Sequence, residues 1–258
     1  DSLVQKPGML EVSHVSFAYP GGEKIYEDFN LSATPGQIIG VTGAVACGKS
    51  TLGKTFLCEY PYEGRICFHG KELSGMTKAE QNGMVGYLGH DPELFNDSVR
   101  NNILLGDDDD PEKYLKAVCF DGEVAEMEEG MDTIVGNGGV RLSGGQAQRL
   151  ALARTLCHKR PVLILDDPFS ALDRKTEEEV FANLRKFTAD SIVILLSHRL
   201  YLFPEMDQVL WMEDGKVTAG THEQILEKFP EYARLYEAQA DGADAHSTQE
   251  GGLDHAEK

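Results

Sequence analysis

The feature that most constrains this 258-residue chain is the stretch Gly43, Ala44, Val45, Ala46, Cys47, Gly48, Lys49, Ser50, Thr51. It has the form G-x-x-x-x-G-K-[ST], follows the apolar run Ile38–Val41 and precedes the helix-compatible run Leu52–Leu57. Strand, glycine loop and helix, in that order, form the context a phosphate cradle needs. The backbone N–H groups of such a loop, with a helix N-terminus behind them, make a positive concavity for phosphate oxygens. Lys49 would add a point charge on the outer phosphates, and the Ser50 hydroxyl would ligate Mg²⁺. An ordinary glycine-rich turn satisfies the same fixed positions, so the rest of the chain has to decide between the two.

With 41% hydrophobic and 8% aromatic residues, the composition is that of a soluble globular domain of ample size for a core. A net charge of −19 argues against a nucleic-acid backbone as partner. The longest apolar runs, Val162–Leu165 and Ile192–Leu196, are far too short to span a bilayer. No signal peptide is visible, and because the chain opens on Asp1 rather than Met we expect a preceding segment. The five cysteines lack C-x-x-C spacing, which favours a reducing compartment over a zinc site or disulfide framework.

Residues 1–8 read as a linker. Leu10–Phe17 alternates apolar and polar residues as a half-buried strand does, and Tyr19–Gly22 closes it with a turn. Tyr19 has two readings, a core aromatic or a platform on which a base stacks. Phe29–Leu31, Gly64–Gly70 and Met84–Leu88 also read as strands, the last running into the loop Gly89–Phe95. The acidic section from Val99 to about Met131 reads as helical, with Asp110 as an N-cap and Pro111 at the first helical position.

Leu142, Ser143, Gly144, Gly145 and Gln146 then precede a helix over Ala147–Cys157, a second place where backbone N–H groups could meet an anion. The all-apolar run Val162–Leu165 reads as a fully buried parallel strand ending in Asp166 and Asp167. Carboxylates at the C-terminal end of such a strand face the ligand crevice of an open α/β sheet. Ile192–Leu196 is a second strand of this kind, and His198 emerges at the same sheet edge. Ser170–Asp173 starts a helix carrying Val180, Phe181, Leu184 and Phe187, and Thr221–Gln224 has capping-box spacing. Residues 240–258 read as a disordered tail.

The order of these elements resembles that of ATP-binding cassette ATPases, over about residues 9–238. The run Leu142–Gln146 downstream of a P-loop carries most of that resemblance, and Asp91–Asn96 with Thr133–Gly136 resembles the exporter branch. The resemblance implies an α/β fold: a P-loop NTPase core with a mostly parallel sheet, an antiparallel β subdomain and a helical subdomain inserted at about 92–158. It implies one ATP-binding domain over 9–239, ATP and Mg²⁺ as ligands, and a second such domain as partner. It also implies a transmembrane domain fused upstream and a place on the cytoplasmic face of the cell membrane. Tyr19 corresponds to the adenine-stacking aromatic and Ile25 to an apolar contact with the same base. Residues 43–51 would hold the phosphates, and Ser50, His90 and Asp166 would flank Mg²⁺. Asp167 occupies the position that polarises the attacking water, and His198 that of the γ-phosphate contact. Leu142, Ser143, Gly144, Gly145 and Gln146 would serve the nucleotide of the opposite subunit.

Four positions depart from the exporter pattern: Asp167 stands for glutamate, His90 for glutamine, Ala46 for glycine and Asn137 for glutamate. Aspartate is one methylene short, and a misplacement of about 1 Å costs ~10²-fold. A nitrogen ligand suits Mg²⁺ poorly. Three of these changes fall in the chain's own site, whereas Leu142–Gln146 is intact. The pattern predicts the degenerate half of a heterodimeric exporter, which binds ATP, hydrolyses it slowly and completes its partner's site. A working homodimeric ATPase, a non-transport cassette ATPase and a purely regulatory nucleotide-binding module are the alternatives; the acidic, insertion-free chain disfavours the second.

Overall fold

The computed structural model describes residues 8–44 and 46–247; Val45, residues 1–7 of the expected linker and residues 248–258 of the expected tail lie outside the described residues. Strands β1 (Leu10–Ala18) and β2 (Lys24–Ala33) open the chain, joined by a turn in which Gly22 N donates to Tyr19 O. β3 (Ile38–Gly43) runs through the glycine loop into α1 (Lys49–Thr55). β4 (Glu63–Phe68), β5 (Lys71–Glu72), α2 (Lys78–Met84) and β6 (Val85–Leu88) follow. The next section comprises β7 (Asp97–Ser98), α3 (Val99–Leu104), α4 (Pro111–Ala117), α5 (Asp121–Ala125), β8 (Ile134–Val135) and α6 (Gly144–Cys157). The chain then returns to the sheet with β9 (Val162–Asp166), α7 (Arg174–Phe187), β10 (Ile192–Leu196), β11 (Gln208–Glu213) and β12 (Lys216–Gly220), and ends with α8 (His222–Lys228) and α9 (Pro230–Ser247).

The large sheet has the order β5-β4-β1-β2-β12-β11-β3-β10-β9-β6. β3 pairs in parallel with β10 and β11, and β9 in parallel with β10 and β6. β1, β2, β4 and β5 pair only antiparallel among themselves, and a parallel bridge from Lys216 to Glu27 joins the two parts. This is the α/β architecture expected, a parallel core with an antiparallel subdomain attached. No helix among the described residues is long and apolar enough to cross a membrane.

Period-2 alternation sorts the buried strands between two cores. Val162, Ile164, Ile192, Ile194 and Leu196 face α1 and the antiparallel strands, where Leu52, Phe56, Tyr26 and Phe29 pack. Leu163, Leu165, Val193 and Leu195 face the opposite side, against Leu150 and Leu156 of α6 and Val180, Phe181 and Leu184 of α7. Both faces of β9 and β10 are covered, which is why these strands read as unbroken apolar runs.

The acidic section after Val99 is helical in separate pieces: α3 stops where Leu105 turns left-handed at φ +50, and α4 starts afresh at its cap. Asp110 accepts from Glu112 N and Pro111 takes the first helical position, as the spacing predicts. One expectation needs correction: the chain does not leave regular structure at 239, because α9 continues to Ser247.

Candidate nucleotide site at the ends of the parallel strands

Four parallel strands deliver the candidate residues to one edge of the sheet. β3 ends at Gly43 and opens the glycine loop, β6 leads to His90, β9 ends in Asp166 and Asp167, and β10 leads to His198. Ligands of open α/β sheets bind at this carboxyl edge.

Gly48 is the N-cap of α1 with φ +99, a left-handed conformation that glycine adopts freely. A Cβ there would stand 2.4 Å from Ile25 Cγ2, so glycine is also what lets Ile25 pack onto the loop. No side chain caps α1, and its first turn carries no acidic residue, so the leading N–H groups are left for an anion. Lys49 is 8% exposed, and its Nζ donates to the carbonyls of Gly43 and Ala44, both at 3.1 Å, with Cys47 Sγ at 3.7 Å. The ammonium is thereby held at the floor of the cradle. Ala46 adopts φ +62, which costs an L-residue ~1–2 kcal/mol, so the loop keeps the glycine-type turn with an alanine in it.

Tyr19 is 39% exposed, and its hydroxyl lies 3.4 Å from Thr51 Oγ1, beside the loop. That position decides against the core reading. Ile25 contacts Gly48, so its apolar surface forms part of the loop's support.

Asp166 is 7% exposed, and its Oδ2 accepts from Tyr87 OH at 3.0 Å. Asp167 sits at φ +52, with its N–H donating to Leu196 O at 2.8 Å, which ties the ends of β9 and β10 together. Burial pushes the Asp167 carboxyl above the usual range, opposed by the charges of His198, His90 and Arg199. Its Oδ2 lies 3.7 Å from His90 Nδ1. Burial and the Lys49 charge lower the basicity of His198. Gln239 of α9 clamps the backbone there, donating to His198 O and accepting from Leu200 N.

Mg²⁺ takes oxygen ligands, usually one or two from protein and the rest from phosphate and water. Ser50, exposed at the start of α1, and the Asp166 carboxylate offer suitable oxygens. His90 offers a nitrogen and faces Asp167 instead. A cradle with a hydroxyl and a carboxylate beside it fits a magnesium-bound nucleotide.

Ser143 caps α6 in a capping box: its Oγ accepts from Gln146 N, and Gln146 Oε1 accepts from Ser143 N. The Ser143 hydroxyl proton stays free to donate, and Ser143 and Gly144 are exposed. Among the described residues, no hydrogen bond or ion pair joins Leu142–Gln146 to the glycine loop.

Sequence reasoning missed the residues that bind these pieces together. Gln148 of α6 donates to Ser170 Oγ and accepts from Ala171 N. Arg199, next to His198, donates to the carbonyls of Ser170 and Leu172 and to Glu177 Oε2 at 2.5 Å. Tyr201 OH donates to the same carboxylate. Glu177 lies one turn before Val180 and Phe181 on the buried face of α7, so its periodicity was the available signal.

The ABC transporter family pattern matches residues 26–170. The chain belongs to the ABC transporter family. A probable multidrug resistance ABC transporter ATP-binding/permease protein, YheI of Bacillus subtilis, is 35% identical over 92% of this chain and 42% of its own length. The ATP-dependent lipid A-core flippase of Pseudomonas syringae is 38% identical over 89% of this chain and 40% of its own length. A solved bacterial Atm1-family ABC exporter with ATP bound superposes with a TM-score of 0.83 at 30% identity, over 92% of this chain and 43% of that one. This ABC transporter domain therefore spans less than half the length of the relatives it matches.

Proposed function

We propose that this chain is the ATP-binding domain of an ABC exporter and binds ATP with Mg²⁺ through its glycine loop. The ATP-binding domain covers residues 9–239, with its helical part at about 92–158. It pairs head-to-tail with a second, non-identical domain to power export at the cytoplasmic face of a membrane, the membrane-spanning part being fused upstream. Tyr19 stacks on the adenine, Lys49 and the loop N–H groups neutralise the phosphates, and His198 contacts the γ-phosphate. When bound, Mg²⁺ would neutralise phosphate charge between Ser50 and Asp166. A groove of about 460 Å³ lined by Pro92, Glu93, Leu94, Asn137, Arg141 and Leu142 offers the membrane domain a place to engage.

The observation that carries the finer reading is the pairing of His90 with Asp167. A carboxylate one methylene short falls away from the water it must orient, and the group beside it, 3.7 Å away, is an imidazole where the family has glutamine. The own site is therefore slow, and the intact Ser143–Gln146 completes the partner's site. Phosphate release by the assembled pair at saturating ATP tests this. Asp167→Ala should leave turnover within about twofold, because little transition-state stabilisation is lost. Ser143→Ala should lower it by about 10²–10³-fold, as loss of one preorganised donor does. The reverse order of effects overturns the asymmetric reading. Turnover by the chain alone in the ordinary enzyme range, above ~1 s⁻¹, points to a working homodimer.

A further inference from the structure

Exposed large apolar side chains among the described residues are Tyr19, Tyr60, Phe95, Leu105, Ile134 and Val140. The last four line grooves in the helical part of the domain. Tyr19 and Tyr60 instead meet each other, with ring centroids 5.4 Å apart and planes at 83°. Phe17, 4% exposed, completes the cluster at 5.1 Å from Tyr19 and 6.4 Å from Tyr60, also at steep angles. Perpendicular ring pairs are the arrangement that aromatic quadrupoles favour.

We propose that Tyr60 is a positioning residue for the nucleobase, holding the Tyr19 ring in the orientation that stacks. The proposal rests on the assignment of Tyr19 to the base. Tyr19 directly follows β1 of the antiparallel subdomain, and Tyr60 stands in the loop that leaves α1, the helix that begins at the phosphate cradle. Phe17 reaches Tyr19 from its own strand. Tyr60 reaches it from the other element, and Thr51 Oγ1 of α1 lies 3.4 Å from the Tyr19 hydroxyl. The contacts fix the stacking ring relative to the phosphate site, which sets where a base attached to a bound triphosphate will fall. A ring left free would lose rotamer freedom on stacking, and that loss weakens binding. A ligand that lacks a base would not register it.

The test is calorimetric titration of the chain with magnesium ATP and, separately, with magnesium tripolyphosphate. Tyr60→Ala and Tyr60→Leu should weaken ATP binding by about 2- to 12-fold, the equivalent of immobilising one side chain at ~0.5–1.5 kcal/mol and 1.4 kcal/mol per tenfold. Both should leave tripolyphosphate binding unchanged. Tyr60→Phe should bind ATP as the wild type does, because the ring rather than the hydroxyl does the positioning. In a Tyr19→Ala background, Tyr60→Ala should have no further effect. Wild-type ATP affinity in both Tyr60→Ala and Tyr60→Leu, or equal loss of ATP and tripolyphosphate, overturns the proposal. If Tyr19→Ala itself leaves ATP binding intact, the base-stacking assignment fails instead; if only Tyr19→Ala weakens ATP, the role of Tyr60 alone fails.

Discussion

His90 Nδ1 stands 3.7 Å from Asp167 Oδ2, so two positions that depart from the exporter pattern face each other. On the function proposed above, each change alone would weaken the support a γ-phosphate site gives to water, and the facing pair would act as a unit, so restoring one without the other should recover little. A glutamate at 167 extends its carboxylate by about one C–C bond, ~1.5 Å, enough to close onto the imidazole as a hydrogen bond.

Asp167→Glu alone is therefore expected to recover little phosphate release in the assembled transporter. Combined with His90→Gln it should recover more than the two single changes together. Neighbouring residues that share a partner couple by ~0.5–3 kcal/mol, so the cycle should read about 2- to 100-fold beyond additivity. A cycle that closes to additivity within measurement scatter would show that the two departures are independent.

Arg199, half-buried beside His198, carries a heavy structural burden. Its guanidinium reaches Glu177, which is 1% exposed, and two carbonyls of the Ser170–Leu172 turn. Burial raises the Glu177 carboxyl, while Tyr201 and Arg199 hold it down. Arg199→Ala should cost about 3–5 kcal/mol in urea unfolding, the usual effect of stranding one partner of a buried pair. Glu177→Gln, which removes the buried charge and can still accept from Tyr201, should cost less. Lysine cannot reproduce the fork, so Arg199→Lys should fall between wild type and alanine.

These couplings mark the limit of what the sequence made legible. β3, β9 and β10 are readable because a parallel strand covered on both faces must be apolar throughout, and Val162–Leu165 and Ile192–Leu196 are. Asp110 with Pro111, and Thr221 with Gln224, announce helix starts because caps act locally. β12 is harder to see from burial, because none of its residues is fully buried; its signal is the turn Asp214-Gly215, both at positive φ, which closes a two-residue hairpin with β11. α2 carries a single buried side chain, Gln81, and so lacks the apolar stripe that marks a helix, although Thr77 and Glu80 form its capping box. The His90–Asp167 pair was invisible for another reason. Each residue is legible as a departure, but their facing depends on β6 pairing with β9 at a sequence separation of 77.

The C-terminal helices should give the domain an acid-sensitive stability. His222 is 6% exposed, its Nδ1 lies 2.7 Å from Tyr232 OH, and burial lowers its basicity below the usual 6.5. A depressed histidine favours the neutral form in the folded state only. Its contribution is complete above the unfolded value of 6.5 and is lost as pH falls through the lower folded value. Urea midpoints measured at pH 7.5 and then at about pH 5 should therefore drop for wild type. His222→Gln, which cannot take up the proton, should shrink that drop whatever its effect at neutral pH. An undiminished pH dependence in the variant would assign the acid sensitivity to other groups.

Gly144 and Gly145 are adjacent in the run that would serve the partner's nucleotide, yet they differ in what surrounds them. A Cβ on Gly145 would stand 2.8 Å from Ala171 O, a backbone atom of the turn that Gln148 and Arg199 hold in place. A Cβ on Gly144 would meet only Ala171 Cβ, at an ordinary 3.7 Å. Gly145→Ala should accordingly destabilise the isolated chain by about 1–3 kcal/mol, as overpacking does. Gly144→Asp should not, because an acid in the first turn of α6 complements the helix dipole by ~0.3–1 kcal/mol. That makes Gly144→Asp the cleaner probe of the opposite site. The variant should fold and bind ATP at its own glycine loop as wild type does, while placing a negative charge where the partner's γ-phosphate would sit. Phosphate release by the assembled pair should then fall by about 10²-fold or more, with unfolding midpoint and own-site affinity unchanged. If Gly144→Asp leaves that turnover intact, Leu142–Gln146 does not serve the partner's nucleotide.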